Sequence, residues 1–150
     1  MNPKTLKYIH TIACVAMALF FLNAGVKKFI PKPPRPSNTA ELVQAVEQDK
    51  YESPASFKLT MKAMKQSGFL YFIGVFQIVA ALLIVFPRTR LLGLCVLLPI
   101  VINIFLLHVF MDNRMHENVE TGLLLAINLL LILYYYKSLV TVFLKPNPKL

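Results

Sequence analysis

The sequence predicts an all-α fold: a transmembrane four-helix bundle with a short amphipathic helical insert between helices 1 and 2. Three observations predict it. Four long stretches contain no Asp, Glu, Lys or Arg. Hydrophobic residues make up 57% of the 150 residues and charged residues only 15%, and a soluble domain of this size lacks the interior to hide that much apolar surface. None of the apolar stretches alternates with period two, as the strands of a membrane barrel would.

The whole chain, 1–150, reads as a single transmembrane domain, with spans over about residues 8–30, 68–87, 91–111 and 118–137. Their uncharged centres are Tyr8 to Val26, Gly68 to Pro87, Leu91 to Met111 and Thr121 to Tyr136. Each approaches the about 20 residues that cross roughly 30 Å of hydrocarbon as a helix. Backbone groups in lipid must bond within their own segment, which leaves the helix as the form for such runs. The first run is too long for the apolar part of a cleavable signal and is expected to stay as a signal anchor. Spans two and three are joined by a tight turn at Arg88-Thr89-Arg90, directly after Pro87. Spans three and four are joined by the polar loop Asp112 to Glu120.

The insert, 31–67, opens with PKPPRP, which is extended rather than helical. Asn38 followed by Glu41 resembles a capping box and predicts a short helix over about Thr39 to Asp49. Ser53-Pro54 reads as an N-cap and first helical residue of a second helix that runs to about Gln66, with Gly68 at its stop. On this second helix Phe57, Met61 and Met64 share one face, and Lys58, Lys62 and Lys65 share the next. That pattern suits either a helix lying on the bilayer surface or a cap over the bundle.

The net charge of +9 does not indicate a nucleic-acid partner, because the basic residues flank apolar runs and form no stripe with interleaved aromatics. The lipid bilayer is the partner they indicate. Four spans put both termini on one side. That side, with the Arg88–Arg90 turn, carries Lys4, Lys7, Arg88, Arg90, Lys137, Lys145 and Lys149 and no acid. Its uniformly basic short segments favour a cytoplasmic position.

Polar groups at membrane depth are the informative ones. Each span holds one carboxamide: Asn23, Gln77, Asn103 and Asn128. Lipid offers them no partner, so they are expected to face other helices, either bonding across the bundle or lining a binding cavity. Charges collect at the end away from the termini. His108 and Asp112 are four apart and share a face, and Glu117, Thr121 and Asn128 fall along one face of the fourth helix. Lys28 is expected to turn into the bundle and approach His108, Asp112 or Glu117. His108 could exchange a proton, contact a ligand or make a structural hydrogen bond. No metal site is expected, since His10 lies toward the opposite end and His116 in a loop. Pro99 removes a backbone bond inside the third span and predicts a kink over Cys95 to Pro99. The Tyr134-Tyr135-Tyr136 run reads as an interfacial belt. Cys14 and Cys95 sit in apolar runs and read as inert core thiols.

Three segments, NAGVKKFIPKPP, SGFLYFIGVFQIVAALLI and PIVINIFLLHVFMD, resemble the DoxX family of small four-span membrane proteins. The resemblance covers nearly the whole chain. It rests on Gly25-x-x-Lys28-Phe29, Gly68-x-x-Tyr71 and, most specifically, on Pro99, Asn103, His108 and Asp112. It implies a four-helix bundle in a bacterial inner membrane, tied to quinone-linked or oxidative-stress redox systems. The chain departs from the family in carrying Gln77 where members often carry Glu, and in its longer insert. Gln cannot ionise, which speaks against proton carriage at that depth.

Three functions follow as expectations. The first is an accessory or quinone-interacting subunit of a membrane redox system, working with a redox partner protein or as a homo-oligomer. In it Lys28 and His108 would meet quinone oxygens, and Phe29, Phe105 and Phe110 would flank the ring. The sequence holds no flavin, haem or iron–sulfur motif and no self-contained catalytic motif, so a quinone is the only cofactor expected. The second is a small transporter or lipid-binding protein, and the third a structural or assembly protein without catalytic activity. Across all three, the candidate ligand or proton-exchange residues are Lys28, Asn103, His108, Asp112, Gln77, Asn23, Asn128 and Glu117.

Overall fold

The computed structural model describes residues 2–30 and 55–144. Among these the chain is helical, with no strand. The helices are α1 (Pro3–Lys27), α2 (Ala55–Gln66), α3 (Phe69–Val85), α4 (Arg90–Leu107), α5 (Met115–Leu133) and α6 (Tyr136–Leu144). A π-helical turn, His108–Asp112, extends α4 without a break. The helix expected over Thr39 to Asp49, and the Ser53-Pro54 start of α2, lie outside the described residues.

Local chemistry sets most boundaries. α1 begins earlier than expected, because Pro3 occupies its first turn and the Asn2 side chain accepts from the Lys4 N–H at 3.1 Å. Gly68 separates α2 from α3 with φ 79°, a left-handed conformation open to glycine at little cost. The chain bends there by 82°. The α3–α4 turn is closed by Thr89, whose hydroxyl donates to the Leu83 carbonyl at 2.8 Å. α4 stays helical through Pro99, and a π turn follows it at His108–Asp112. α6 was not expected from the sequence. It follows a two-residue turn at Tyr134–Tyr135.

Packing is sequential: α1 lies on α3, α3 on α4 and α4 on α5, with α1 and α5 meeting more sparingly. Each helix gives one stripe to the core. α1 supplies Cys14, Met17, Ala18 and Phe21, and α3 supplies Ala80, Ala81 and Ile84. α4 supplies Leu94, Leu97 and Val101, and α5 supplies Leu131 and Ile132. The stripes follow helical spacing, so the opposite faces point outward, and those faces carry Leu19, Phe20, Phe72, Leu92 and Leu130. An apolar outer surface of this extent suits a hydrocarbon surround.

Among the described residues three helices are long and apolar enough to cross a membrane: Lys4–Lys27, Arg90–Asp112 and Met115–Leu133. A fourth is counted if Phe57–Gln66 and Phe69–Val85 are taken as one bent span. α3 alone has 17 residues, the lower limit for crossing. The chain is a multi-pass membrane protein.

Two glycine contacts bring backbones together. A Cβ on Gly25 would lie 2.9 Å from the Gly74 carbonyl oxygen, so α1 and α3 touch main chain to main chain. A Cβ on Gly93 would lie 2.8 Å from the Ala80 oxygen and 2.7 Å from the Ile84 nitrogen, which does the same for α3 and α4. Close approach through small residues is the usual way for helices to associate in lipid, where solvent exclusion gives little drive.

Candidate functional site

The expected site lies where α1 ends, α3 begins and α4 passes into α5. Its first element follows from the Gly25–Gly74 crossing. Lys28 stands one turn beyond Gly25, and its Cβ lies against Gly74. Side chains on a helix lean toward its N-terminus. The Lys28 amine therefore reaches back along α1, donating to Gln77 Oε1 at 2.6 Å and to the Ala24 carbonyl at 3.3 Å. Gln77 is only 1% exposed. A lysine near a helix end commonly extends toward water. Here it turns inward.

The second element is built on the π turn. Asp112 is 1% exposed and is the hub of a charged cluster. Arg114 grips it with two bonds, Nε to Oδ1 at 2.7 Å and Nη2 to Oδ2 at 2.9 Å. His108 Nδ1 lies 2.8 Å from Oδ2. A carboxylate accepts, so Nδ1 carries the proton and Nε2 is the nitrogen left for other chemistry. Arg114 also reaches Glu117 at 3.2 Å, and His116 lies 3.6 Å from the same oxygen. The π turn is closed by the Asn113 N–H on the His108 carbonyl at 2.7 Å, and Asn113 adopts φ 52°. Such turns are frequent at functional sites. The Phe57 ring stands 5.1 Å from the His108 ring, which ties α2 to this cluster.

The face predicted on α5 is present. Thr121 is 6% exposed and Asn128 fully buried, and the Thr121 hydroxyl donates to the Glu117 carbonyl at 2.7 Å. Neither carboxamide atom of Asn128 has a hydrogen-bond partner among the described residues.

Other expectations are corrected. Lys28 does not bond to His108, Asp112 or Glu117. Asp112 is already held by neighbours two and four residues away, and the lysine stem leads into the α1–α3 seam instead. Asn103 does not face the bundle. It is exposed, and it satisfies itself by donating to the Pro99 carbonyl one turn back at 2.8 Å. Asn23 is exposed as well. Of the three phenylalanines expected around a ligand ring, Phe110 is 79% exposed, Phe105 lies against Gly122 and Phe29 against Tyr71. Phe57 stands beside His108 instead.

Sequence reasoning missed a second polar cluster, at the Pro87–Arg90 end. Arg90 is 5% exposed, although a turn position suggests a solvated charge. Its Nε donates to the Ile84 carbonyl at 3.0 Å, one of the carbonyls left over in the last turn of α3, and its Nη1 donates to the Thr11 hydroxyl at 3.2 Å. His10 is buried, and its Nε2 donates to the Leu131 carbonyl at 3.2 Å while its ring stacks on Tyr134 at 3.9 Å. Cys14 lies within 3.8 Å of that imidazole. Two residues of the expected tyrosine belt are thus used against His10 and each other, with Tyr136 left exposed. The one signal available in the sequence was the i, i+4 spacing of His10 and Cys14.

The chain matches no family model, no curated protein and no solved structure.

Proposed function

We propose that this chain is a DoxX-like membrane protein that serves as an accessory, quinone-interacting subunit of a membrane redox system. In this reading it lies in a bacterial inner membrane with both termini toward the cytoplasm. The supporting observation is the His108–Asp112–Arg114 arrangement: an imidazole oriented by a buried carboxyl group that is itself gripped by a two-point arginine contact.

The chemistry follows from that order. With Nδ1 protonated toward Asp112, neutral His108 presents Nε2 as an acceptor. A quinol hydroxyl would donate to it, and Asp112 would stabilise the imidazolium if the proton crossed. Phe57 offers a flat apolar wall beside the ring. The inward-turned Lys28 amine, at the same end of the bundle, would be a donor for a head-group oxygen, complementing the His108 acceptor. Electrons would pass between the quinone and a partner redox protein, and the residues of this chain bind the head group and hold or release its proton.

The test is titration of a short-chain quinone into the purified protein in nanodiscs, read by calorimetry. Saturable binding is expected, weakened about tenfold by His108→Ala and by Asp112→Asn, for loss of one charge-assisted bond each. Absence of saturable binding, together with purification free of any redox partner, overturns the proposal. Variants that melt earlier but bind unchanged would support the structural reading.

A further inference from the structure

We propose that the α2–α3 elbow is a binding site for an anionic phospholipid, with its phosphate on Lys62 and Lys65 and an acyl chain laid along α3. This rests on surfaces separate from His108 and is independent of the quinone reading.

The elbow is made by Gly68. Its left-handed backbone turns the chain by 82°, so the short helix α2 crosses the direction of α3 rather than continuing it. α2 contains three lysines and no acid. Met61 and Met64 are half-buried on its inner side, while Lys62 and Lys65 are exposed. A cationic amphipathic helix set nearly perpendicular to a span lies where headgroups are.

A shallow, open apolar groove lies at the bend. Ala63, Met64, Ser67, Gly68, Phe69 and Phe72 line it, and the two exposed lysines flank Ala63 and Met64 in sequence. From the groove an aromatic ladder descends the outer face of α3. The Phe69 and Phe72 rings are 6.0 Å apart and the Phe72 and Phe76 rings 4.7 Å apart, and all three are exposed. A cationic rim, a shallow apolar groove and an apolar track on an exposed face match the parts of a phospholipid in order. The excess of lysine over acid on α2 selects a headgroup with net negative charge, since basic side chains near a membrane surface are drawn to anionic lipid.

The test is native mass spectrometry of the full chain in detergent, titrated with phosphatidylglycerol or phosphatidylcholine of the same acyl composition. Retention of phosphatidylglycerol is expected to exceed that of phosphatidylcholine by about tenfold. The exposed pair K62Q/K65Q should erase the difference without changing the melting temperature. F72A should lower retention of both lipids. Inorganic phosphate at millimolar concentration should leave the bound lipid in place. Equal retention of the two lipids by the unaltered chain, or an unchanged preference in K62Q/K65Q, overturns the proposal. Displacement by phosphate would show that the lysines bind phosphate without the groove, and overturns it as well.

Discussion

The two ends of the bundle bury polar groups in different ways. At the Pro87–Arg90 end the polar side chains bond chiefly to fixed groups. Arg90 is spent on the Ile84 carbonyl and Thr11, and His10 on the Leu131 carbonyl. Those bonds complete helix ends and tie α1 to α4 and α5. At the other end side chains bond to side chains. Lys28 meets Gln77, and Asp112 meets His108 and Arg114. A carbonyl can accept but neither gains nor loses a proton, whereas an imidazole–carboxylate pair can rearrange. The first end is built to close the structure, and the second keeps groups whose partners can change.

Substitution can break or sharpen that contrast. The largest effect is expected at Asp112. Asp112→Ala removes the acceptor that His108 and Arg114 share, leaving Arg114 its Glu117 contact, and it should lower unfolding stability by about 2–4 kcal/mol, discounted from a fully buried pair because both partners are partly exposed. Thermal unfolding in detergent measures it. Arg90→Met should come next, at about 2 kcal/mol, since it removes a charge-assisted bond and leaves the Ile84 carbonyl unsatisfied. Unlike Asp112→Ala, it should leave quinone affinity unchanged. A matching loss of affinity would dissolve the distinction between the ends.

Gly25→Ala should cost about 1–2 kcal/mol, because its new methyl meets the Gly74 oxygen and must push α1 from α3. It should also part Lys28 from Gln77, detectable as faster reaction of Lys28 with an amine-selective reagent. Asn103→Leu should be smallest, about 0.6 kcal/mol or less, since the bond lost is an exposed one within α4. A large loss there would mean that Asn103 has a partner outside this chain.

Much of the architecture was legible in the sequence. Run length and the absence of charge located the crossing segments, and Gly68 marked the break between α2 and α3. The inner stripe of α5, Thr121 and Asn128, followed from helical spacing. The weakest rule was that intramembrane carboxamides face inward. It assumes that such a group needs another helix, yet Asn103 finds its acceptor four residues back on its own helix. Lys28 was expected to approach His108, Asp112 or Glu117, but these groups are already engaged with one another and with Arg114, which offers little to a distant lysine. Burial of Arg90 was not legible, because composition cannot tell a cation that meets water from one that completes a helix end. The π turn was equally hidden, since His108 and Asp112 share a face in an ordinary helix too.

The elbow at Gly68 has a further consequence. A Cβ built there meets no atom within 4 Å, so the site has ample room for a side chain. What it lacks is tolerance for L-handed geometry at φ 79°, where the strain is about 1–2 kcal/mol. An L-alanine at this position should unbend the elbow, whereas a mirror-image D-alanine introduced by chemical ligation should preserve it. Position 68 discriminates by chirality rather than by bulk.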